Sequence, residues 1–163
     1  MGELLNVPII ATRHVKKNFK EIDEKIPQHS GRVIFDKSLF SMLEPPVLDH
    51  LKSLKRDQVV LYGIEAHVCM RQTCFDLLEN DFGVHLVVDT CSSMNLHDRN
   101  VGIKSMENAG ANLISFQTVL FELMRNFNHP QFKSLMPILK DVPPAGDNGK
   151  PEYLDLYDFG PKM

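Results

Sequence analysis

A chain of 163 residues, 43% hydrophobic and 24% charged, is long enough for one domain with a buried core. Eighteen Lys and Arg against 21 Asp and Glu leave a net charge of −3, which argues against a general basic footprint for nucleic acid or an anionic membrane. Three cysteines cannot all pair, and they sit among strand and helix residues, so free thiols in a reducing compartment are expected.

Residues 1–6 are a short lead. Residues 7–12 form a compact apolar run of the kind buried in a parallel sheet. Residues 13–25 predict a solvated loop or short helix, because Glu21, Asp23 and Glu24 cancel Lys16, Lys17 and Lys20. Residues 27–31 break the chain, and residues 32–35 predict a second short strand. Pro45 and Pro46 then open a helix in which Val47, Leu48, Leu51 and Leu54 share a stripe. The third strand covers residues 58–63, and Met70, Cys74, Leu77 and Leu78 keep helical spacing up to Asn80. Residues 83–89 predict a strand and residues 90–96 a polar loop, with Asn95 and Asp98 as a helix cap and Gly110 as that helix's end. Residues 112–116 predict the last strand. A helix at 117–125 presents Val119, Leu120, Leu123 and Met124, and another at 131–140 is expected to break or bend at Pro137.

From Val142 onward prolines and glycines predict an irregular tail, although Tyr153, Leu154, Leu156, Tyr157 and Phe159 suit it to docking on the domain or on a neighbouring subunit. The domain is therefore residues 1–140 and the tail residues 141–163. Strands alternate with helices and no repeat is present, which predicts an α/β fold with three layers and a doubly wound parallel sheet. No apolar run approaches a membrane span, the amino end lacks the design of a signal peptide, and Gly160-Pro161-Lys162-Met163 is no organelle address. The expected location is the cytoplasm.

In doubly wound folds the working residues gather at the carboxyl ends of the strands, where Lys37, Cys69 and residues 89–93 all fall. Val59-Val60-Leu61-Tyr62-Gly63 followed by Ile64-Glu65-Ala66-His67-Val68-Cys69 reads as strand, tight turn and helix, with the cysteine at the turn. Unpaired N–H groups and the positive end of the helix dipole favour a thiolate there, and the same N–H groups can hold an oxyanion.

The string Gly63-Ile64-Glu65-Ala66-His67-Val68-Cys69-Met70-Arg71-Gln72-Thr73 resembles the G-[VI]-E-[TA]-x-x-C-[VIM]-x-x-T signature of isochorismatase-like cysteine hydrolases. The text through Val87-Val88-Asp89-Thr90-Cys91-Ser92-Ser93 and Asp98-Arg99 is similar to that of eukaryotic isochorismatase domain-containing proteins. The likeness runs from about Val7 to Leu139. It implies a triad of aspartate, lysine and cysteine. Cys69 matches the nucleophile, and Lys37, in Phe35-Asp36-Lys37-Ser38-Leu39-Phe40-Ser41-Met42, matches the lysine of a P-K-T-x-F-S-M pattern. It also implies oxyanion donors at the backbone N–H groups of Glu65 and Cys69, a cis peptide before Glu65, and homo-oligomers.

The family's aspartate ends a first strand, in a V-x-D type string, and no such string precedes Val7; Asp23, Asp36 and Asp57 are poor substitutes. The resemblance thus implies a domain of about five strands lacking the first β-α unit. Closure of the strand at 8–12 onto the strand at 58–63, in the order 2-1-3-4-5, is then expected, because buried unpaired edges cost free energy. Each singled-out residue also has a plainer reading: Cys74 as a small core hydrophobe, Lys37 as a solvated loop lysine, residues 91–93 as loop caps, Asp98 and Arg99 as cap and surface pair. His14, His67 and His85 raise the question of zinc, which nicotinamidase relatives hold. The cations around His14 oppose a dication, so neither metal nor cofactor is expected.

The implied activity is hydrolysis of an amide-type C–N bond in a small molecule through a thioester, weak or absent here for want of the aspartate. The rivals are a non-catalytic interaction protein that retains the fold, and a sensor that uses the thiol alone.

Overall fold

The structure is a computed structural model that describes residues 31–140 without a break and, ahead of them, residues 2, 4–15, 17, 21, 22 and 26. The expected tail at 141–163 lies outside the described residues. The elements run β1 (Ile9–His14), β2 (Arg32–Lys37), α1 (Pro45–Ser53), β3 (Gln58–Ile64), a π-helical turn (Ala66–Met70) that continues into α2 (Arg71–Glu79), β4 (Gly83–Ser92), α3 (Leu96–Asn108), β5 (Asn112–Ile114), α4 (Phe116–Met124) and α5 (Phe132–Lys140).

Strand periodicity sets the layers. Val59, Leu61, Val84, Leu86, Val88 and Leu113 face one side of the sheet, where Leu48 and Leu51 of α1, Cys74 and Leu77 of α2, and Ile103 and Met106 of α3 join the same core. Val60, Val87 and Ile114 face the other side and meet Phe116 and Val119 of α4. Behind α4, Leu120 and Met124 pack on Leu135 of α5 and on Leu5 near the amino end. This is the α/β arrangement with parallel strands that the alternating pattern predicts.

Local signals are realised where one residue type carries them. Asn95 Oδ1 accepts from the Asp98 N–H at 2.9 Å. Gly110, at φ 113°, ends α3 with a bond from the Ala111 N–H to Met106 O. Ser115 caps α4 rather than extending β5, and of the break or bend expected at Pro137 the break does not occur, since α5 continues across it.

Two expectations are corrected. First, among the described residues β1 pairs with β2, while β3, β4 and β5 form a separate parallel sheet, so the predicted closure of β1 onto β3 does not occur. The β1–β2 pair is instead linked to the larger sheet through residues 38–44, whose Met42 N–H donates to Thr73 Oγ1 at 2.9 Å. At the margin facing away from β4, Tyr62 and Ile64 of β3 remain 56% and 67% exposed. Second, residues 90–92 belong to β4 rather than to a loop. Gly63 and Ile64 pair with Cys91 and Ser92 after a register shift beyond Leu61, which leaves an irregular stretch of β4 opposite Tyr62. Arg99 resolves that stretch. It is buried rather than on the surface, its Nε donates to Cys91 O at 2.7 Å, and its Nη2 donates to Val88 O. Burial in turn lowers the guanidinium's proton affinity.

Candidate active site

The site forms where the two sheets converge at their carboxyl ends. Lys37 closes β2 and is only 6% exposed, which overturns the reading of a solvated loop lysine. Beyond it the chain curls, because the Glu44 carboxylate accepts from the N–H groups of Ser38 at 2.6 Å and Leu39 at 2.8 Å. Those bonds, that of Leu39 foremost, hold the Glu44 carboxyl below its ordinary pKa. The curl turns the carbonyls of Leu39 and Phe40 onto Lys37 Nζ, each at 2.8 Å. Nζ is thereby set 3.7 Å from Cys69 Sγ and 3.2 Å from His14 Nδ1. The His14 ring stacks on Phe40 at 5.6 Å between centroids.

Cys69 is the fourth residue of the π-helical turn, inside the first turn of the helical segment that continues as α2. The peptide between Ile64 and Glu65 is cis, as the resemblance implied. Glu65 O accepts from the N–H groups of Val68 at 3.2 Å and Met70 at 3.1 Å, which winds the turn. Ser93 supports the turn from β4's end: its Oγ accepts from the Ala66 N–H at 3.1 Å and lies 3.1 Å from His67 Nδ1. The Glu65 carboxylate accepts from the Met94 N–H at 2.8 Å. Gly102 of α3 lies so near that a Cβ there would stand 2.7 Å from the backbone N and Cα of His67. Thr73, 1% exposed, ties both halves together, donating to Cys69 O at 2.7 Å while accepting from Met42.

The three thiols are not equivalent. Cys74 and Cys91 are buried, and burial pushes each thiol up to about 11, so they stay protonated at neutral pH. Cys69 is partly exposed and faces a cation. The residues singled out from the sequence, Lys37, Cys69 and Glu65, are thus brought to one place. His85 stands apart between Gln58 and Asn112. Sequence reasoning misses two members of the site. Thr73 is visible only as the last letter of the signature, and His14 suggests itself only as a metal ligand, whereas its Nδ1 faces the Lys37 ammonium. Among the described residues no group of three His, Cys, Asp or Glu side chains is disposed to hold a metal ion, and no helix is long and apolar enough to cross a membrane.

Comparison with known proteins finds relatives by family, by sequence and by fold. The model of the isochorismatase domain matches residues 3–118. Isochorismatase family protein 1B of Dictyostelium discoideum is 37% identical over 142 residues, spanning 83% of this chain and 69% of the relative. Isochorismatase domain-containing protein 2 of Rattus norvegicus is 34% identical over 149 residues, spanning 90% of this chain and 70% of the relative. The solved structure of the MAR1 ribonuclease from Caenorhabditis elegans superposes with a TM-score of 0.82 at 40% identity, over 89% of this chain and 76% of that one. With a family model covering most of its length and a thiol turn of the matching signature, the chain belongs to the isochorismatase family.

Proposed function

We propose that Cys69 is a nucleophile toward a small-molecule acyl compound, cleaving an amide-type C–N bond through a thioester. The observation that carries this reading is the 3.7 Å approach of the Lys37 ammonium, at the end of β2, to Cys69 Sγ, in the helical turn that follows β3. A cation at that distance favours a thiolate, and the position inside the first helical turn adds the aligned N–H groups. The backbone N–H groups of Glu65 and Cys69 would hold the developing oxyanion. Among the described residues, none of those in hydrogen-bond contact with Lys37 Nζ is a carboxylate. Loss of a general base typically costs about 10²–10⁴ in rate, so the hydrolysis expected is slow.

Ribonuclease activity, for which the Caenorhabditis neighbour is named, concerns a different substrate class. A net charge of −3 gives little attraction for RNA, and the small-molecule reading stands ahead of it. The rival in another class is a non-catalytic interaction protein; Phe121 and Leu123, exposed on α4, would then serve contact between copies in a homo-oligomer.

Incubation with a panel of nicotinamide-like amides, alongside Cys69→Ala and with labelled RNA in parallel, tests the reading. Ammonia release that depends on Cys69 supports it. Cleavage of RNA alone, or no cysteine-dependent product, removes it.

A further inference from the structure

We propose that the open margin of β3 binds an extended peptide as an added parallel strand, and that a peptide ending in a carboxamide is the amide cleaved at Cys69; the second half rests on the reading of Cys69 as nucleophile. Among the described residues β3 pairs with β4 alone, and β1 and β2 lie in another sheet. The margin of β3 away from β4 therefore carries backbone N–H and C=O groups with no strand partner among those residues. Strands left at an edge are ordinarily protected by shortness, by proline or by charge. Gln58-Val59-Val60-Leu61-Tyr62-Gly63-Ile64 has seven residues, no proline and no charged side chain. Val60 is covered by Val119 of α4, but further along the strand Tyr62 and Ile64 are 56% and 67% exposed. Ile9, Ile10 and Ala11 of β1 likewise stay half-buried, short of the burial that a doubly covered parallel sheet gives.

These observations name the chemistry of the occupant. A row of N–H and C=O groups spaced along a strand is matched by another polypeptide backbone, and Tyr62 and Ile64 supply cross-strand neighbours for β-branched side chains. Direction follows from charge. Cys69, with the Lys37 ammonium at 3.7 Å and the positive end of the helical segment, stands beyond the carboxyl end of β3. A peptide's amino terminus is repelled there and its carbonyl-bearing end is attracted, so the added strand runs parallel to β3, as β4 does. A second copy of the chain is the competing occupant. It would bring its own β1 and β2 against the pair that Lys37 holds at the end of β3, whereas a single extended chain needs only the margin itself.

The reaction balances with water as the one further reactant. The Cys69 sulfur bonds to the carboxamide carbon, the C–N bond breaks, and ammonia leaves carrying the proton that the thiol gave up. Water then adds to the thioester and the C–S bond breaks. The peptide departs as its acid, and the thiol regains a proton from that water.

An acetylated heptapeptide of alternating threonine and valine, ending in a chloromethyl ketone, reports pairing and direction together, because the Cys69 sulfur displaces chloride to form a C–S bond. Labelling is followed by mass spectrometry beside acetylglycine chloromethyl ketone, the heptapeptide ketone with every amide nitrogen methylated, and the heptapeptide with a chloroacetyl group at its amino end instead. Each rate is divided by that of the same reagent with glutathione. One backbone hydrogen bond is worth a factor of about 2 to 10, so the heptapeptide ketone is expected to label at least about tenfold faster than each of the others. Tyr62→Ala and Ile64→Ala should each cut that advantage by about 2- to 5-fold. Release of ammonia from the heptapeptide carboxamide, dependent on Cys69 and faster than from nicotinamide, supports the substrate class; the reverse order overturns it. A heptapeptide ketone no faster than its methylated form overturns the pairing, and an equal rate from the amino-end reagent overturns the direction; both leave the nucleophile standing. If no reagent labels Cys69, acetylglycine chloromethyl ketone included, the nucleophile reading falls and the substrate class with it. Anisotropy of the fluorescein-labelled heptapeptide carboxamide with Cys69→Ala then decides the strand by itself, saturable binding supporting it and no binding overturning it. A dimer in sedimentation that Tyr62→Lys converts to monomer would assign the margin to a second copy and overturn the peptide.

Discussion

Lys37 Nζ, at the end of β2, reaches to 3.7 Å from Cys69 Sγ, in the turn that follows β3, although β2 and β3 lie in sheets that share no hydrogen-bonded strand pair. The contact is made by the curl at residues 38–44, which aims two carbonyls at the ammonium, and by the turn that brings the sulfur out beyond β3.

Replacing Lys37 with methionine keeps the length of the side chain and removes the charge. Iodoacetamide labelling of Cys69 at pH 7, read by mass spectrometry, should slow by about tenfold or more, the usual scale for deleting a cation in contact with a thiol. Cys74 and Cys91 provide the internal standard. With their thiols pushed up to about 11 by burial, both should stay unlabelled in the native protein and become reactive in urea. Labelling of Cys69 at an unchanged rate in Lys37→Met would remove the charge argument.

Thr73 joins the two halves of the site through bonds to Met42 and Cys69. Thr73→Val preserves the shape and takes the partner from a part-buried N–H and from a part-buried carbonyl, for a combined cost of about 1–3 kcal/mol. Urea unfolding should show a loss in that range, with Thr73→Ser retaining most of the stability. If valine is tolerated as well as serine, the tie between the sheets lies elsewhere.

Gly102→Ala would ordinarily strengthen a helix by up to about 1 kcal/mol. Here the added Cβ meets the backbone of the turn that carries the thiol, at 2.7 Å from His67 N and Cα, and backbone does not move aside cheaply. The expected outcome is a net destabilisation of about 1–3 kcal/mol by chemical denaturation, with slower labelling of Cys69. A stabilised variant with wild-type labelling would show that α3 can withdraw without disturbing the turn.

Glu44 sets the acid limit of the curl. Its carboxyl is held below its ordinary value of 4.5 by the Leu39 and Ser38 N–H groups. Its stabilising contribution is therefore complete above that ordinary value and is lost as pH falls through the lower folded value. The stability gap between wild type and Glu44→Gln, measured by urea unfolding, should be constant from pH 8 to 6 and close on acidification below about pH 4.5. A gap that persists undiminished at pH 3 would assign the stabilisation to something other than the ionised carboxylate.

The sequence by itself was sufficient for whatever depends on neighbours within a few residues. Strand, turn and helix around Cys69 follow from the order of β-prone residues, Gly63 and the helical spacing after Met70. The caps at Asn95 and Gly110 follow from side chains suited to those positions. Lys37 is found through a motif, without any sign that it would be buried. Tertiary structure decided the rest, because each outcome depends on a partner far along the chain. Residues 90–92 became strand because Gly63 and Ile64 lie beside Cys91 and Ser92. Arg99 went inside because an irregular stretch of β4 leaves carbonyls that need a donor. The sheet stayed in two parts, and His14 reached Lys37 across 23 positions of sequence. Local propensity has no term for such encounters, since the free energy that selects them comes from desolvated charges and hydrogen bonds that exist only once the chain has folded.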